Sequence, residues 1–263
     1  MKPAWLFLLL PFIFTGCQTA PGTGRSQLLM VSNSEVSNMA STEFSKMKKL
    51  PNDARLEKIK KIGLAIVTVA RKEDKNRILP PANHWEFAII DDKSPNAFAM
   101  PGGKIGFNVG MFPYAPTDDD IAVILGHEVA HVLNQHSNER ISQGLLVAAG
   151  AVIVDEATKN KSTRTRQAWM TGFGLGAQFG VLLPFSREHE SEADHLGLIF
   201  MARAGYNPEV APAFWGRFSS KNNGNKPPEF FSTHPADETR IRQLNAWMPE
   251  AKAQMPKVVN PVQ

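Results

Sequence analysis

Cysteine is nearly absent from this sequence of 263 residues, in which Cys17 is the only one. A chain with one thiol cannot form an intramolecular disulfide, which excludes the class of small secreted domains held together by disulfides. A large excess of one charge sign is also missing, because 29 basic and 25 acidic residues leave a formal net charge of +4. With no stripe of basic residues among aromatics, this small excess argues against nucleic acid as a partner.

Apolar runs long enough to cross a membrane are missing too, since a span needs about 20 mostly apolar residues. The N-terminal stretch and the internal runs GLLVAAGAVIV (144–154) and GFGLGAQFGVLLPF (172–185) are all shorter. We expect the internal runs to form two helices that pack closely, through their small residues, against each other or against the helix that carries HEVAH. No internal repeat is evident, so one domain with one core is expected.

The N-terminal stretch MKPAWLFLLLPFIFTGC has one lysine and then about a dozen apolar residues, which is the length of a cleavable signal. Its ending, FTGC, resembles a bacterial lipoprotein signal, which implies that Cys17 becomes the first residue and carries lipid. By the same resemblance, Gln18 favours the outer membrane. We expect a signal peptide at 1–16, a lipidated N-terminus and linker at 17–32, and a flexible tail at 251–263.

The motif HEVAH at 127–131 is the most informative feature that is present. Its surroundings, TDDDIAVILGHEVAHVLNQH, predict one helix with Thr117 as N-cap and three aspartates in the first turn. On that helix His127 and His131 lie one turn apart on one face, where both can bind one ion. Glu128 lies about 100° around the axis, beside the ion. This is the geometry of zinc hydrolases, with two ligands and a general base.

A third zinc ligand in the metzincin layout is excluded. That layout needs a glycine and a histidine where this chain has Asn134 and Ser137. His136 misses the required position by one residue, and we interpret it as a polar residue near the helix end.

A carboxylate from a later helix is the other possible third ligand. The segment SREHESEADHLGLIFMARAG (186–205) predicts a helix with Ser186 as N-cap, and Glu190 and Asp194 lie one turn apart on it. One carboxylate can bind zinc while the other orients a ligating histidine. Glu192 is a competing carboxylate, but on a helix it points about 200° away from Glu190.

Several segments in a fixed order resemble one known family. They are GRSQLLMVS (24–32), NAFAMPGGKIGFNVGM (96–111), HEVAH, REHESEADHLG and STHPADETRI (232–241). Together they resemble the gluzincin metallopeptidases, which include HtpX-like membrane proteases, the CAAX prenyl proteases and their periplasmic lipoprotein relatives. The resemblance extends over most of the chain after the signal.

The resemblance implies roles for individual residues. Glu190 becomes the third ligand of one zinc ion per chain, and Asp194 becomes the carboxylate that supports a ligating histidine. His234 matches the histidine of the family's T-H-P segment, and Arg240 matches an arginine six residues later. The resemblance brings His234 near the zinc, where it either stabilises the oxyanion or occupies the open coordination position as a gate.

Helices are expected to outnumber strands, which predicts a predominantly helical α+β fold with zincin-type catalytic helices and a small antiparallel sheet at 33–250. The strands are predicted in WEFAII (85–90), NAFAMP and KIGFNVGM. An exposed strand edge can hold an extended peptide through main-chain hydrogen bonds. The possible substrate contacts are Asn96, Ala97, Phe98, Met100 and Arg240. The same strands can equally be a purely structural hairpin.

The sequence therefore predicts a zinc-dependent endopeptidase with Glu128 and His234 as catalytic side chains. The expected location is the periplasmic face of the bacterial outer membrane, with a lipid anchor and with unfolded or misassembled envelope proteins as substrates. The alternative is a non-catalytic envelope chaperone or assembly factor with a metal-stabilised fold. Glu128 argues against it, because a purely structural zinc site needs no base beside its ligands. A second alternative is an unrelated zinc hydrolase that acts on small molecules, but the predicted hairpin gives no support to it.

Overall fold

The computed structural model describes residues 17–178, 182–220, 234 and 238–256. The expected signal at 1–16 and the end of the expected tail, 257–263, lie outside these residues. The strands are β1 (Cys17–Thr19), β2 (Ser26–Leu28), β3 (Glu86–Ile90), β4 (Ala97–Met100) and β5 (Lys104–Asn108). The helices are α1 (Asn33–Lys46), α2 (Leu56–Glu73), α3 (Asp118–Leu133), α4 (His136–Thr158), α5 (Thr163–Ala177), α6 (Leu183–Arg203), α7 (Val210–Ser220) and α8 (Glu238–Ala253), with 3-10 turns at Ala82–His84 and Val109–Met111.

The strands form two small sheets in a predominantly helical α+β fold, as predicted. β1 and β2 pair antiparallel, while the other sheet has the order β3-β5-β4. The expectation of a purely antiparallel sheet is wrong for this second sheet, because β3 and β5 run parallel and only β4 and β5 are antiparallel. Gly102 and Gly103 make the tight β4–β5 turn with φ of 81° and 76°. Because β4 stands at the end of the order β3-β5-β4, it is an edge strand.

Helix α3 runs through the centre of the core. Every residue from Asp120 to Leu133 is buried. The predicted N-cap is confirmed, because the Thr117 side chain accepts from the Asp120 N–H and the Asp120 side chain accepts from the Thr117 N–H. A helix that is buried all round must place its polar residues where other polar groups meet them.

Helices α3 and α6 touch main chain to main chain at a pair of glycines. A Cβ on Gly126 would lie 2.6 Å from the Gly197 carbonyl oxygen, and a Cβ on Gly197 would lie 2.6 Å from the His127 nitrogen. Only glycine permits so close an approach. The contact brings the HEVAH face of α3 against the first half of α6.

The start of α6 differs from the prediction. The helix begins at Leu183, with a proline in its first turn, so Ser186 lies inside it and is not the N-cap. Proline suits the first turn of a helix because its fixed φ is already helical and its missing N–H would have no helical partner there.

The segment expected to be a linker is instead docked on the protein body. The strands β1 and β2 form a hairpin, and Arg25 between them is held by the carboxylates of Glu139 on α4 and Glu192 on α6. Further on, the Met30 N–H donates to the Ser142 hydroxyl at 2.8 Å. Residues 251–253, which were expected in a flexible tail, instead form the end of α8, which continues to Ala253.

Helices α4 and α5 form a hairpin that contains the first internal apolar run and residues 172–177 of the second. Residues 179–181 of the second run lie outside the described part, and its last residues begin α6. The predicted close packing of the two runs is confirmed at Gly150, where a Cβ would lie 2.7 Å from the Phe173 ring. The first run lies within α4, which has 23 residues. In the part of the chain that the structure describes, α4 alone has the length and composition to cross a membrane.

Candidate active site

Four side chains from α3, α6 and a separate segment converge in the core. His127, His131, Glu190 and His234 are all buried, and one ligand atom from each lies within 4.8 Å of the others. The HEVAH spacing on α3 supplies two of these atoms, and the glycine contact between α3 and α6 brings the third. This is the group that the sequence predicted to surround zinc.

The spacing of the donor atoms fits zinc. His127 Nε2 lies 3.0 Å from His131 Nε2. Glu190 Oε2 lies 3.3 Å from His127 Nε2, and Glu190 Oε1 lies 3.4 Å from His131 Nε2. Two nitrogens about 2.0–2.1 Å from one tetrahedral zinc are about 3.3 Å apart. The buried Glu190 Oε1 makes no hydrogen bond within the described structure, so it is free to coordinate.

The electrostatics of the cluster favour a cation. Burial opposes a charge on His127, yet the hydrogen bonds that its imidazole donates to the Asp194 and Glu190 carboxylates outweigh this effect and raise the pKa of His127 to about 9. Burial also opposes the ionisation of Glu190, but the neighbouring imidazoles of His234 and His131 hold its pKa well below its usual range. Burial holds the pKa of His131 well below its usual range, so the cluster offers a neutral imidazole beside a negative carboxylate, which are donor types that zinc takes.

Asp194 supports His127 from behind, as the resemblance implied. Its Oδ1 lies 2.9 Å from His127 Nδ1, which leaves Nε2 to face the cluster. Arg240, predicted as a possible substrate contact, is instead buried behind the ligands. Its guanidinium donates to Asp194 at 2.6 Å and lies over the Trp215 ring, 3.3 Å from the ring centroid. Arg240 therefore fixes Asp194 and does not face a substrate.

His136 supports the other ligand, His131, which the sequence interpretation missed. His131 Nδ1 lies 2.7 Å from His136 Nδ1, and His136 Nε2 lies 2.8 Å from Glu192 Oε2. Gln135 adopts a left-handed φ of 55° between α3 and α4. This kink turns His136 back onto His131, whereas on one continuous helix the two would be about 140° apart.

The same contacts decide between Glu190 and Glu192. Glu192 binds His136 and Arg25, on the far side of His131 from the cluster. Burial opposes its ionisation, but these partners lower its pKa to about 2. Burial lowers the pKa of His136 to about 4, so its imidazole is neutral near pH 7. A neutral His136 can accept the Nδ1 proton of His131 and donate its own Nε2 proton to Glu192.

A buried ion network continues from Glu192 to the N-terminal hairpin. Arg25 bridges Glu192, at 2.8 Å, and Glu139, at 2.7 Å. Glu139 also lies 2.8 Å from His189 Nε2. Nothing in the spacing of GRSQ indicated this role, because the partners are more than a hundred residues away.

Glu128 lies beside the cluster, as the helix geometry predicted. It is buried, and its Oε2 accepts a hydrogen bond of 2.9 Å from the Ala99 N–H on β4. Its Oε1 makes no hydrogen bond to the described residues but lies 3.4 Å from His234 Nε2. A carboxylate with one anchored oxygen and one directed at the cluster has the arrangement of a general base.

The predicted strand edge faces this base. Because Asn108 N–H donates to the Asn96 carbonyl, the alternating antiparallel pattern turns the N–H groups of Ala97 and Ala99 outward, and Ala99 meets Glu128. The side chains of Phe98 and Met100 instead pack near Phe44 in a second small core. Ala99 was missing from the predicted contacts. The main chain of β4, not those two side chains, lies towards the site.

His234 occupies the remaining side of the cluster. Its Nδ1 lies 2.9 Å from Glu190 Oε2 and 3.1 Å from His127 Nε2, which is a position for a fourth ligand. Of the two roles left open by the sequence, this geometry favours the gate, because a nitrogen in that position competes with water or substrate for the metal.

The chain matches one family over the elements that build this site. A model of peptidase family M48 matches residues 57–248. The mitochondrial metalloendopeptidase OMA1 of Saccharomyces cerevisiae is 30% identical over 255 residues, which cover 91% of this chain and 71% of that protein.

Two further relatives are matched over a smaller share. The mitochondrial metalloendopeptidase OMA1 of Schizosaccharomyces pombe is 38% identical over 169 residues, which cover 64% of this chain and 48% of that protein. The beta-barrel assembly-enhancing protease of Yersinia pestis is 28% identical over 178 residues, or 63% of this chain and 36% of that protein. The chain thus spans about half or less of these two relatives.

Proposed function

This chain belongs to peptidase family M48, whose members are zinc-dependent metallopeptidases, and we propose that it is a zinc endopeptidase of the bacterial cell envelope. The observation that carries the proposal is the meeting of three elements at one point: the donor cluster, Glu128 and the edge of β4. A purely structural metal site needs only the first of these.

His127, His131 and Glu190 would hold the zinc ion, and His234 lies at the fourth position. When bound, zinc supplies Lewis-acid chemistry that polarises a peptide carbonyl and makes water acidic enough to attack it near neutral pH. Glu128 accepts the proton of the attacking water and transfers it to the leaving amine.

The surrounding residues hold this arrangement in place. Asp194 and His136 keep the imidazoles of His127 and His131 turned towards the cluster. The Ala99 N–H is taken by Glu128, and the other outward main-chain groups of β4 pair with an extended peptide whatever its side chains, which suits unfolded substrates. Within the family, we propose that this chain belongs to the periplasmic lipoprotein branch that is related to the HtpX-like proteases.

A place at the outer membrane is supported by sequence features and by one relative. The FTGC sequence at Cys17 has the form of a lipoprotein signal, and the relative from Yersinia pestis is named as an enhancer of β-barrel assembly. We infer a lipid-anchored enzyme that removes misassembled envelope proteins. The relatives named OMA1 are mitochondrial, whereas the lipoprotein-like signal and the relative from Yersinia pestis favour the bacterial envelope.

The catalytic proposal is tested with casein and a measurement of bound zinc. The wild-type protein should bind one zinc ion per chain and hydrolyse unfolded casein, whereas Glu128→Gln should bind zinc equally and lose hydrolysis. Such a result requires a base that is not a ligand. A zinc-loaded wild type that prevents aggregation of casein but never cleaves it would support the chaperone alternative instead.

The lipid anchor is tested by labelling cells with a radioactive fatty acid. Label on the wild type, none on Cys17→Ala, and release of the variant from the outer-membrane fraction are the expected results. Equal label on both proteins would refute lipidation at Cys17, without bearing on the zinc site.

A further inference from the structure

The α4–α5 hairpin carries a large apolar surface that the rest of the described protein does not cover. Val152 is 69% exposed, Ile153 65%, Trp169 61% and Leu175 55%. Leu145 and Leu146 are exposed as well. Soluble proteins seldom leave so many large apolar side chains together in water, and such a patch marks a binding surface.

The pattern along α4 shows where this surface begins. Its first turns are buried among polar partners, such as Ser142 and Asn138, that tie it to the N-terminal segment. From 144 to 154 the helix has no charged residue, and few of its side chains are buried. This second half packs against α5, and α5 in turn is exposed along nearly all its length. The hairpin therefore projects from the peptidase body.

The tip of the hairpin is basic. Lys159, Lys161, Arg164 and Arg166 lie within eight residues. Asp155 pairs with Arg166 and Glu156 pairs with Lys159. Lys161 and Arg164 make no ion pair within the described ranges, so they leave a positive charge at the end of an apolar surface.

We propose that the α4–α5 hairpin, residues 144–177, docks in the interface of an anionic lipid bilayer. Its apolar side chains would enter the acyl region, and Lys161 and Arg164 would meet lipid phosphates. Trp169 belongs to the residue type that prefers the boundary between acyl chains and headgroups. A protein partner of the apolar face alone would not call for this combination of basic tip and exposed tryptophan.

The hairpin lies in the membrane surface and does not cross it. α4 has the length to cross, but its first turns, up to Gln143, are buried in the peptidase body. α5 has 15 residues and is about 22 Å long, which is shorter than the roughly 30 Å of a bilayer core. A crossing would also bury the charged tip, including Asp155 and Glu156. In a shallow position, the apolar side chains can enter the acyl region while the charged tip stays among the headgroups and water.

An apolar cavity of about 650 Å³ lies beside the hairpin and supports this orientation. It is bounded by Leu28 on β2, by Leu146 and Val147 on α4 and by Phe173 on α5. Leu28 pairs with Cys17 in the β1–β2 register, so the predicted lipid attachment point is next to this cavity. The proposed docking surface and the N-terminus thus lie at the same side of the protein. The docking itself does not require that Cys17 be lipidated.

Quenching of tryptophan fluorescence by brominated acyl chains tests the proposal in the full chain. Vesicles contain phosphatidylglycerol and brominated phosphatidylcholine, and the Trp169 contribution is the difference between wild type and Trp169→Phe. This difference isolates the hairpin from any anchor at the N-terminus. We expect quenching of Trp169 in anionic vesicles, with at least a severalfold loss of quenching in the double variant Val152→Asp/Ile153→Asp.

Charge and matched controls complete the experiment. Lys161→Glu/Arg164→Glu should weaken quenching, and added salt should weaken it in the wild type. Met39→Asp replaces an exposed methionine on α1 and should leave quenching unchanged. Casein hydrolysis in detergent, equal for all variants, shows that they fold. Unquenched Trp169 would overturn the proposal, and so would a lipid-free dimer that Val152→Asp/Ile153→Asp dissociates, since the face would then belong to a second copy.

Discussion

The Ala99 N–H and the Glu128 carboxylate are hydrogen-bonded over 2.9 Å, which links the strand edge to the expected base. A peptide that pairs with β4 adds its own donors and acceptors at the place where this bond lies. One strand therefore orients the base, through the Ala99 N–H, and aligns the substrate, through its remaining outward main-chain groups. This bond favours a role for β4 in catalysis over the alternative that β4 and β5 form a purely structural hairpin.

Removal of this N–H should impair catalysis without loss of metal. Proline is tolerated where a strand N–H points away from the ladder, so Ala99→Pro is a direct test. We expect kcat/KM on casein to fall by about 10- to 100-fold, the scale of one hydrogen bond to a charged group, about 1.5–3 kcal/mol. Bound zinc should stay at the wild-type level. Unchanged kinetics would assign β4 to structure alone.

The two neighbouring glutamates of α6 should differ in their effect on zinc. Glu190→Ala removes a donor from the cluster and should abolish stoichiometric zinc binding. Glu192→Ala removes the partner of His136 and should still bind one zinc ion when zinc is in excess. Metal analysis after gel filtration compares the two variants, and the reverse outcome would exchange their roles.

His136 should tune zinc affinity although it is not a ligand. Loss of a group that orients a ligating histidine costs about 10- to 100-fold in metal affinity. We expect His136→Ala to raise the zinc dissociation constant by this factor, as measured by competition with a fluorescent chelator. His195→Ala is the matched control, because His195 contacts Glu250 away from the cluster. Equal affinities in all three proteins would contradict the role.

His234→Ala should raise the hydrolysis of unfolded casein at saturating zinc. Its Nδ1 lies in the fourth position, so the substitution removes a competitor of water and substrate. If His234 instead stabilises the oxyanion, turnover should fall by roughly 10²-fold, the effect of losing one such donor. The sign of the change distinguishes the two roles, and no change would reject both.

Glu139 should contribute to stability only above a defined pH. Burial opposes its ionisation, but hydrogen bonds from Arg25 and His189 lower its pKa from 4.5 to about 2. A lowered pKa stabilises the folded protein above pH 4.5, and this stabilisation is lost as the pH falls from 4.5 towards 2. Urea unfolding in the presence of a chelator should show a large deficit for Glu139→Gln at pH 7 that shrinks at pH 3. A deficit that is independent of pH would exclude an ionic contribution.

The sequence was most informative where one local pattern determines the geometry. Helical spacing alone placed His127, His131 and Glu128, and a Thr117 cap followed from local chemistry. His136 could not be assigned in this way, because a single left-handed residue at Gln135 changes its direction. Arg240 was misjudged and Arg25 was given no role, because their partners come from distant segments and only the folded chain brings them together.

The sheet shows the same limit. The β4–β5 hairpin was predictable from its glycine turn, but the parallel pairing of β3 with β5 depends on how the chain crosses between them. The sequence also does not tell which side of β4 meets α3. Ala99 was overlooked for that reason.

The glycine contact between α3 and α6 makes the spacing of the metal donors a property of the main chain. No side chain stands between Gly126 and Gly197 that could repack to absorb a change. The distance between the two helices, and with it the spacing of the zinc ligands, is thus set by direct main-chain contact, which leaves no room for even one added methyl group. Substitutions elsewhere in the core can be buffered by neighbouring side chains, whereas here the smallest possible addition acts directly on the ligands.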